Sequence, residues 1–216
     1  MTTRTPADWA RILESMGVKP LMFATWAPVF ANTVRADTFS AGDTDLRDFL
    51  AQIIHESAGL TRMKESLNYS TDALIAKFGR HRISIEDAHR YGRNESHAAD
   101  QHAIANCIYG GDWGRVKLGN THPGDGAKFI GRSPIQITGR DNYARIGDIV
   151  GQDLTVMPEL LEQPHYALEA TIAWWESRIP DSMLGDPEAV TRRVNGGIIG
   201  LADRLDLTDR AGTALA

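Results

Sequence analysis

Cysteine is almost absent from the sequence: Cys107 is the only one in 216 residues, so no internal disulfide can form. This composition fits synthesis in a reducing compartment. Cys107 lies within an apolar helical pattern, which predicts a buried, unreactive thiol and not a nucleophile. Stability must therefore come from a hydrophobic core. A chain of this length with 42% hydrophobic residues is large enough to bury one as a single domain.

Long hydrophobic runs are also missing, since no stretch approaches the roughly 20 apolar residues of a membrane-spanning helix. The most apolar early segment, residues 21–31, is short and contains Trp26 and Pro28, and the start of the chain carries no basic segment. We interpret residues 21–31 as a core helix and not as a signal peptide. The sequence therefore predicts neither a membrane span nor an export signal of its own.

Motifs for metal, phosphate or serine-nucleophile chemistry are absent as well. Residues 55–59 depart from the zinc pattern H-E-x-x-H because Gly59 occupies the position of the second histidine. The other histidines are scattered without ligand spacing, and no G-x-S-x-G or Walker sequence occurs. We therefore expect no metal and no other cofactor.

Positive charge is scarce overall, because 23 Lys and Arg stand against 28 Asp and Glu, a net charge of −5. A nucleic-acid partner is therefore not expected. The segment 62–93 is the exception, with seven basic and four acidic residues and hence a net charge of +3. It is either an ordinary solvated surface or a lobe that faces an anionic polymer.

Helical patterns dominate what the sequence does contain, and no internal repeat or long linker interrupts them. The third predicted helix has the clearest pattern, a core-facing apolar stripe at helical spacing. It consists of Leu46, Phe49, Leu50, Ile53 and Ile54. The glycine-rich segment 110–126 predicts an irregular surface loop, and 129–137 is the best candidate for a short strand. The chain is therefore predicted to be mainly α.

Two glutamates are the candidates for hydrolytic chemistry. Glu56 ends the apolar third helix, where the negative end of the helix dipole disfavours an anion and so favours a protonated carboxyl group. Glu65 follows in a polar stretch. Glycosidic cleavage without a cofactor needs two carboxyl groups, and different surroundings can make one the acid and the other the base. The spacing alone is weak support, because most such pairs are surface residues.

Four sequence blocks follow one another in order between about residues 50 and 205. They are 55–59 with 65–70, 104–106 with 109–111, 124–143, and 194–197. The last three are similar to the ANxxYGGR, GDGxxFxGRGxIQLTGRxNY and (I/V)NGG sequences of glycoside hydrolase family 19. The first resembles the active-site segment of that family, and the short distance from Glu56 to Glu65 is most similar to its bacteriophage endolysin branch.

Carried over by matching position, the resemblance implies a role for nine residues. Glu56 would be the general acid, Glu65 the general base that activates water, and Thr138 a residue that helps to hold that water. The sugar-binding residues would be Tyr69, Asn106, Gln136, Asn142, Tyr143 and Asn195. The family inverts the anomeric centre, which implies carboxyl groups about 6.5–9.5 Å apart.

The resemblance also implies a lysozyme-like, two-lobed helical fold with a short β-hairpin at most and an active-site cleft between the lobes. We expect one catalytic domain over 1–216, with a larger lobe from about 1–60 and 129–216 and a smaller lobe from about 61–128. Ser133 stands where the family usually has glycine, so a slight difference in the backbone is expected there.

The implied function is that of a peptidoglycan hydrolase of endolysin type, a muramidase. It would cut the β-1,4 bond between N-acetylmuramic acid and N-acetylglucosamine of the bacterial cell wall. We expect a monomer that stays in the host bacterial cytoplasm until a holin-type pore gives it access to the wall.

Three alternatives remain open at this point. A chitinase is the nearest, although the plant chitinases of the family place the second glutamate farther along and carry disulfides. A non-catalytic wall-binding module does not require both Glu56 and Glu65. A wall peptidase would release new amines in place of reducing ends.

Overall fold

The computed structural model describes residues 3–216 and is mainly helical, as the sequence predicts. The α-helices in this range are α1 (Pro6–Ser15), α2 (Phe23–Thr33), α3 (Asp43–Glu56), α4 (Thr71–Lys77), α5 (Ile85–Tyr91), α6 (Gln101–Ile108), α7 (Gly111–Leu118), α8 (Asp125–Lys128), α9 (Arg140–Val150), α10 (Pro164–Glu176), α11 (Pro187–Asn195) and α12 (Leu201–Leu215). Short 3₁₀ turns cover Pro20–Met22, Pro158–Glu162 and Asp181–Met183. Extended structure within the described range is limited to three isolated β-bridges.

The chain divides into two compact units. Unit 1 holds the chain up to Met63 together with Ser133–Ile135 and Leu161–Ala216, and unit 2 holds Lys64–Arg132 and Gln136–Leu160. The prediction for the larger lobe included all of residues 129–216. The boundary differs because α9 is fastened to unit 2: Arg140 donates to Asp125 through Nε and Nη2, at 2.8 and 2.6 Å.

Unit 1 is built around α3, which packs against α12. The predicted apolar stripe of α3 is confirmed, since each of its five side chains is buried. Trp175 of α10 lies edge-on to Phe49, with ring centroids 5.5 Å apart, and its Nε1 donates to Asp45 at 2.6 Å. The apolar faces of these helices supply the burial that stabilises the unit.

Unit 2 has a smaller apolar core between α4, α5 and α6, with Leu74, Ile83 and Ile104 among its buried side chains. Its helices begin at polar caps: Ser70, for example, accepts from the backbone N–H of Ala73 at 3.1 Å. Each such cap satisfies a backbone donor that the helix itself leaves unpaired.

Two local predictions were wrong. The segment 110–126 is only partly a loop: Gly111–Leu118 forms α7 and α8 begins at Asp125, whereas residues 119–124 between them are not helical. The segment 129–137 is not a strand either; a tight turn joins Arg132 to Ile137 through reciprocal backbone hydrogen bonds of 3.1 and 2.7 Å. Ser133 and Gln136 within that turn adopt φ of +69° and +58°, which an extended strand does not permit.

No helix in the range 3–216 combines the length and the hydropathy needed to cross a bilayer.

A pair of carboxyl groups lies where the first turn of α3 meets the end of α10. Asp45 is buried, and its Oδ2 accepts from the Ser40 hydroxyl at 3.2 Å, while the Ser40 N–H donates to Glu176 at 3.3 Å. Burial, and then the negative charge of Asp45, raise the pKa of Glu176 to about 7. The two groups are therefore most stable when Glu176 carries a proton.

We expect the wild-type protein to lose stability as pH rises, and we expect Glu176→Gln to prevent that loss. The pKa of Glu176 rises from 4.5 to about 7 on folding, so its stabilising contribution is complete below about pH 4.5 and is lost as pH rises through 7. Since glutamine does not ionise, the variant should have the higher Tm at pH 8, and the difference should narrow at pH 5. Glu14→Gln, which removes an exposed acid of α1, is the control; a Tm difference independent of pH would contradict the assignment.

Candidate active site

Glu56 is the last residue of α3, in unit 1, and the chain leaves the helix immediately after it. The buried Ser57 hydroxyl donates to Ile53 O at 2.6 Å and accepts from the Leu60 N–H at 2.8 Å, which fixes this exit. The Glu56 side chain is 23% exposed, so it is held by the protein on one side and reaches solvent on the other. This is a suitable setting for a group that must exchange protons with a substrate.

Arg204 of α12 is the main partner of Glu56. Its side chain is 2% exposed, and its two terminal nitrogens donate to Glu56 Oε1 and to Gln52 Oε1. Gln52 lies one helical turn before Glu56 and donates in turn to the Thr191 hydroxyl at 3.3 Å. Three helices, α3, α11 and α12, thus orient one carboxyl group.

The ion pair changes the electrostatics expected for Glu56. The carbonyl end of α3 places partial negative charge at this position, whereas the guanidinium of Arg204 places a positive charge beside the same carboxyl group. A buried charge is tolerated only where it is paired, so Arg204 needs Glu56 as much as Glu56 needs Arg204. The sequence pattern of α3 alone does not describe the surroundings of Glu56, because it carries no information about α12.

A second pair lies beside the first, since His55 Nδ1 is 2.5 Å from Asp203 Oδ2. Gly200 lies just before Asp203 and Arg204 in the chain. A Cβ at Gly200 would lie 2.4 Å from the His55 ring. Gly200 also has φ +76°, a conformation that L side chains rarely adopt. Glycine is therefore required here for α12 to start close to the end of α3.

Glu65 is held in unit 2 by different means. Its Oε1 accepts from the Gly131 N–H at 2.5 Å and its Oε2 accepts from the Tyr109 hydroxyl at 2.8 Å. Its own backbone N–H donates to Gly131 O at 2.9 Å. Both carboxylate oxygens are therefore oriented, and each keeps acceptor capacity for a further donor.

Burial raises the pKa of Glu65, against the hydrogen bonds from Gly131 and Tyr109 and the charges of Arg132 and Arg82, which lower it. A carboxylate with a raised pKa binds a proton more tightly, which makes it a stronger base once it is ionised. Glu56 and Glu65 thus lie in distinct environments, as the sequence predicts, but the guanidinium contacts Glu56 and the desolvation falls on Glu65.

Gln136 and Thr138 converge with Glu65 on Gly131. A Cβ added at Gly131 would lie 2.7 Å from Gln136 Oε1 and 3.2 Å from both Glu65 Oε1 and Thr138 Oγ1. The Thr138 hydroxyl donates to Gln136 O at 2.9 Å, so its oxygen is left as an acceptor toward a water proton. The structure therefore brings together three of the residues that the resemblance selects.

Tyr69 lies in the same neighbourhood. Its ring stacks edge-on against Phe78, with centroids 5.4 Å apart. Burial, and then the negative charge of Glu65, raise its pKa. Its predicted role in sugar binding stays a prediction.

Tyr143 was expected to line the sugar-binding surface, and its burial contradicts this. The side chain is 0% exposed, and its hydroxyl donates to Ile130 O at 2.7 Å and accepts from Arg132 Nη1 at 3.0 Å. No sugar can reach it, so its role is to hold the chain on either side of Gly131. Its position in the apolar pattern of α9 was a signal for the core.

Asn106 and Asn142 make local hydrogen bonds. Asn106 Oδ1 accepts from the Ala127 N–H at 2.9 Å, which fixes α8, and Asn142 Nδ2 donates to Thr138 O at 2.7 Å, which fixes the start of α9. Asn195 is the exposed last residue of α11 in unit 1. Contacts of these three side chains with a sugar remain predictions.

Sequence reasoning missed the groups that hold the two glutamates. Arg204 shares the buried face of α12 with Leu207, Thr208 and Ala211, so a lone arginine in an apolar stripe was an available signal. Tyr109 belongs to a recognised block but was given no role. Its contact with Glu65 joins positions 44 residues apart, which no local pattern reveals.

The described residues contain no group of three or more His, Cys, Asp or Glu side chains placed to hold a metal ion. What the described residues offer is acid–base chemistry: one carboxyl group beside a buried guanidinium, and another that is oriented by neutral donors.

Comparison with known proteins identifies the family. The family model described as chitinase class I, that of glycoside hydrolase family 19, matches residues 21–183. A Haemophilus influenzae protein described as containing a glycosyl hydrolase family 19 domain is 38% identical over 159 residues, which cover 74% of each chain. This chain belongs to glycoside hydrolase family 19.

Membership makes the protein a glycoside hydrolase with a polysaccharide substrate, so a purely wall-binding role is not favoured. An endochitinase of Arabidopsis thaliana is 33% identical over 73 residues, 33% of this chain and 26% of the plant protein. Chitinase C from Streptomyces griseus HUT6037 superposes with a TM-score of 0.57 at 18% identity, over 99% of this chain and 94% of its own. A further bacterial family 19 chitinase gives 0.53 at 19% identity, over 100% and 96%. At such low identities the two structures show the shared fold alone.

Ser133 replaces the glycine that family 19 usually has in this turn, and it adopts φ +69°. The left-handed conformation costs a residue with a Cβ about 1–2 kcal/mol, whereas glycine adopts it readily. Serine at position 133 therefore strains the backbone of the turn.

We expect Ser133→Gly to stabilise the protein by about 0.5–1 kcal/mol, because relief of this strain exceeds the entropy that glycine loses on folding. Urea unfolding monitored by circular dichroism measures the difference. Ser133→Ala is the matched control, since alanine keeps the Cβ and should bring no gain. Equal stabilisation by both variants would show that the hydroxyl, and not the backbone conformation, carries the cost.

Proposed function

We propose that this family 19 enzyme is a peptidoglycan hydrolase of endolysin type. It cuts the β-1,4 bond between N-acetylmuramic acid and N-acetylglucosamine by an inverting displacement, with Glu56 as general acid and Glu65 as general base. The observation that carries the mechanism is the placement of Glu65 beside Thr138, with both of its oxygens oriented by donors.

The base end of the mechanism follows from that geometry. Glu65 takes a proton from a water molecule while the Thr138 oxygen accepts the other water proton, which aims the water lone pair at the anomeric carbon. Partial burial strengthens Glu65 as a base, and the Tyr109 hydroxyl keeps the carboxylate from rotating away.

The acid end depends on Arg204. Glu56 gives its proton to the glycosidic oxygen and becomes a carboxylate, and the guanidinium next to it stabilises that new charge. The interaction is strongest after proton transfer, so it favours the transition state over the ground state. Inversion requires both carboxyl groups to act on one linkage with room for water, at a separation of about 6.5–9.5 Å.

A pocket beside Glu65 supports peptidoglycan over chitin as the substrate. Its volume is about 330 Å³, its floor is apolar, and Lys64, His102 and Arg132 lie in its lining. Peptide stems of peptidoglycan carry carboxylates, whereas chitin is uncharged, so the positive charges of Lys64 and Arg132 next to the base favour the anionic polymer. The short distance in sequence from Glu56 to Glu65 points to the same branch of the family.

Chitin hydrolysis is the second candidate. It is favoured by sequence relatives, because the Arabidopsis thaliana protein that part of this chain resembles is named as an endochitinase. The chemistry at Glu56 and Glu65 would be the same for both polymers.

The endolysin assignment brings a location with it. The enzyme would act from the host bacterial cytoplasm, as a monomer, and reach the wall after holin-type permeabilisation. This part of the proposal rests on the similarity to bacteriophage enzymes.

Paired digestion tests the substrate and the acid together. We expect the protein to release muramic-acid-terminated fragments from purified peptidoglycan, identified by mass spectrometry, and to act weakly on chitin oligomers. Glu56→Gln should fold and lose at least about 10³-fold in activity, because a required proton donor is gone. Glu14→Gln should keep full activity.

Three results would reject parts of the assignment. Faster turnover of chitin oligomers than of peptidoglycan would favour the chitinase, and near-normal lysis by Glu56→Gln would exclude it as the acid. New amino termini without new reducing ends would indicate a peptidase.

The stereochemistry of the fresh product tests Glu65. Because the base activates water in one displacement, ¹H NMR in the first minutes should show the α-anomer released from a β-linked substrate. Glu65→Gln should abolish this signal. Initial release of the β-anomer would mean a covalent or substrate-assisted route and would remove Glu65 as the base.

A further inference from the structure

Arg82 lies in the turn between α4 and α5, and three aromatic rings surround its guanidinium. The distances from its Cζ to the ring centroids are 3.8 Å for Trp113, 4.9 Å for Phe78 and 5.6 Å for Tyr109. Contacts of this kind are attractive because a cation is drawn to the face of an aromatic ring. The sequence of this basic segment suggests either a solvated surface or a lobe that faces an anionic polymer. Arg82 is instead partly buried, and neighbouring groups hold its guanidinium.

The guanidinium is also fixed by hydrogen bonds. Arg82 Nε donates to Ile108 O at 2.8 Å, at the end of α6 and directly before Tyr109. The Arg82 N–H donates to Gly79 O at 2.8 Å, and the next residue, Ile83, is buried in the apolar core of unit 2. Arg82 therefore contacts Tyr109 through both the ring and the preceding carbonyl group.

Tyr109 connects Arg82 to Glu65, because the Tyr109 hydroxyl donates to Glu65 Oε2 at 2.8 Å. The ring cannot tilt without losing its contact with Arg82 or its hydrogen bond to the carboxylate. The positive charge of Arg82 also acts on Glu65 and favours its ionised form.

Arg80, in the same turn, shows what a purely structural arginine does here. Its Nη2 donates to the backbone carbonyls of Ile75 and Phe78 at 2.7 and 2.5 Å, at the end of α4. No contact of Arg80 with the aromatic rings or with Glu65 is present among the described residues. The two arginines are therefore a matched pair with different surroundings.

We propose that Arg82 is a positioning residue of the catalytic base: held against the rings of Trp113 and Tyr109, it keeps the Tyr109 hydroxyl on Glu65. The proposal rests on the role of Glu65 given under the proposed function. It adds residues that do not themselves touch the substrate.

Other titratable groups also face Glu65, and the comparison of Arg82→Met with Arg80→Met leaves all of them unchanged. They are Tyr69, Tyr109, Arg132 and, in the lining of the adjacent pocket, Lys64 and His102.

The test compares Arg82→Met with Arg80→Met. Loss of the Arg82 charge should raise the pKa of Glu65, so the acid limb of the kcat/KM profile should move to higher pH by at least about 0.3 unit. Titration of ¹³C-labelled glutamate by NMR, with Glu65 assigned through Glu65→Gln, should show the same change without substrate. Arg80→Met should leave both measurements as in the wild-type protein.

Two further variants separate charge from position. Arg82→Lys keeps the charge but loses the planar guanidinium and the Nε donor, so kcat at the pH plateau should fall about tenfold, with little change in KM or in the acid limb. Tyr109→Phe should move the acid limb upward, and Arg82→Met should add less to it in the Tyr109→Phe background than alone, because part of its effect passes through the hydroxyl.

The outcomes are decisive in each direction. A folded Arg82→Met protein in which Glu65 titrates as in the wild type would overturn the proposal, as would an equal change in Arg80→Met. If Arg82→Met does not fold, wild-type kcat in Arg82→Lys would overturn it. Absence of glycosidase activity in the wild type, with Glu65 still responding to Arg82, would instead reject the proposed function and leave the linkage intact.

Discussion

Arg204 carries a full positive charge in a place that water scarcely reaches, and the geometry of unit 1 around Glu56 follows from that fact. A guanidinium removed from water must find acceptors, and Glu56 and Gln52 supply them from one face of α3. This requirement sets how α12 lies along α3. It also explains why Gly200 has no side chain, since α12 has to begin against the His55 ring.

Glu65 is also partly removed from water, but the donors that orient it differ from the guanidinium that contacts Glu56. Its donors in the structure include a backbone N–H and a phenol, both of them neutral, and the charges of Arg132 and Arg82 also act on it. Neutral donors orient a carboxylate without cancelling its charge, and burial raises the affinity of that carboxylate for a proton. A group that must take a proton and one that must give it up are thus treated differently by the same chain.

The periodic features of the fold could be predicted from the sequence, and the features that depend on distant contacts could not. The stripe of α3 and the predominance of helix follow from spacing. The first part of the glycine-rich segment was predicted wrongly because Gly119, in the left-handed conformation, ends a helix that covers Gly111–Leu118. The matched family blocks located Glu65, Gln136 and Thr138, but Tyr143 was assigned to a surface although it packs in the core. Arg204 and Arg82 reach the glutamates from 148 and 17 positions away in the sequence, beyond any local pattern.

The absence of a side chain at Gly131 limits how this enzyme can be altered. A methyl group there would contact Gln136 at 2.7 Å and Glu65 and Thr138 at 3.2 Å, so any side chain at this position would displace groups of the base region. Libraries aimed at new substrates should therefore leave residue 131 untouched. They should vary the lining of the neighbouring pocket instead, for example at His102, which is exposed.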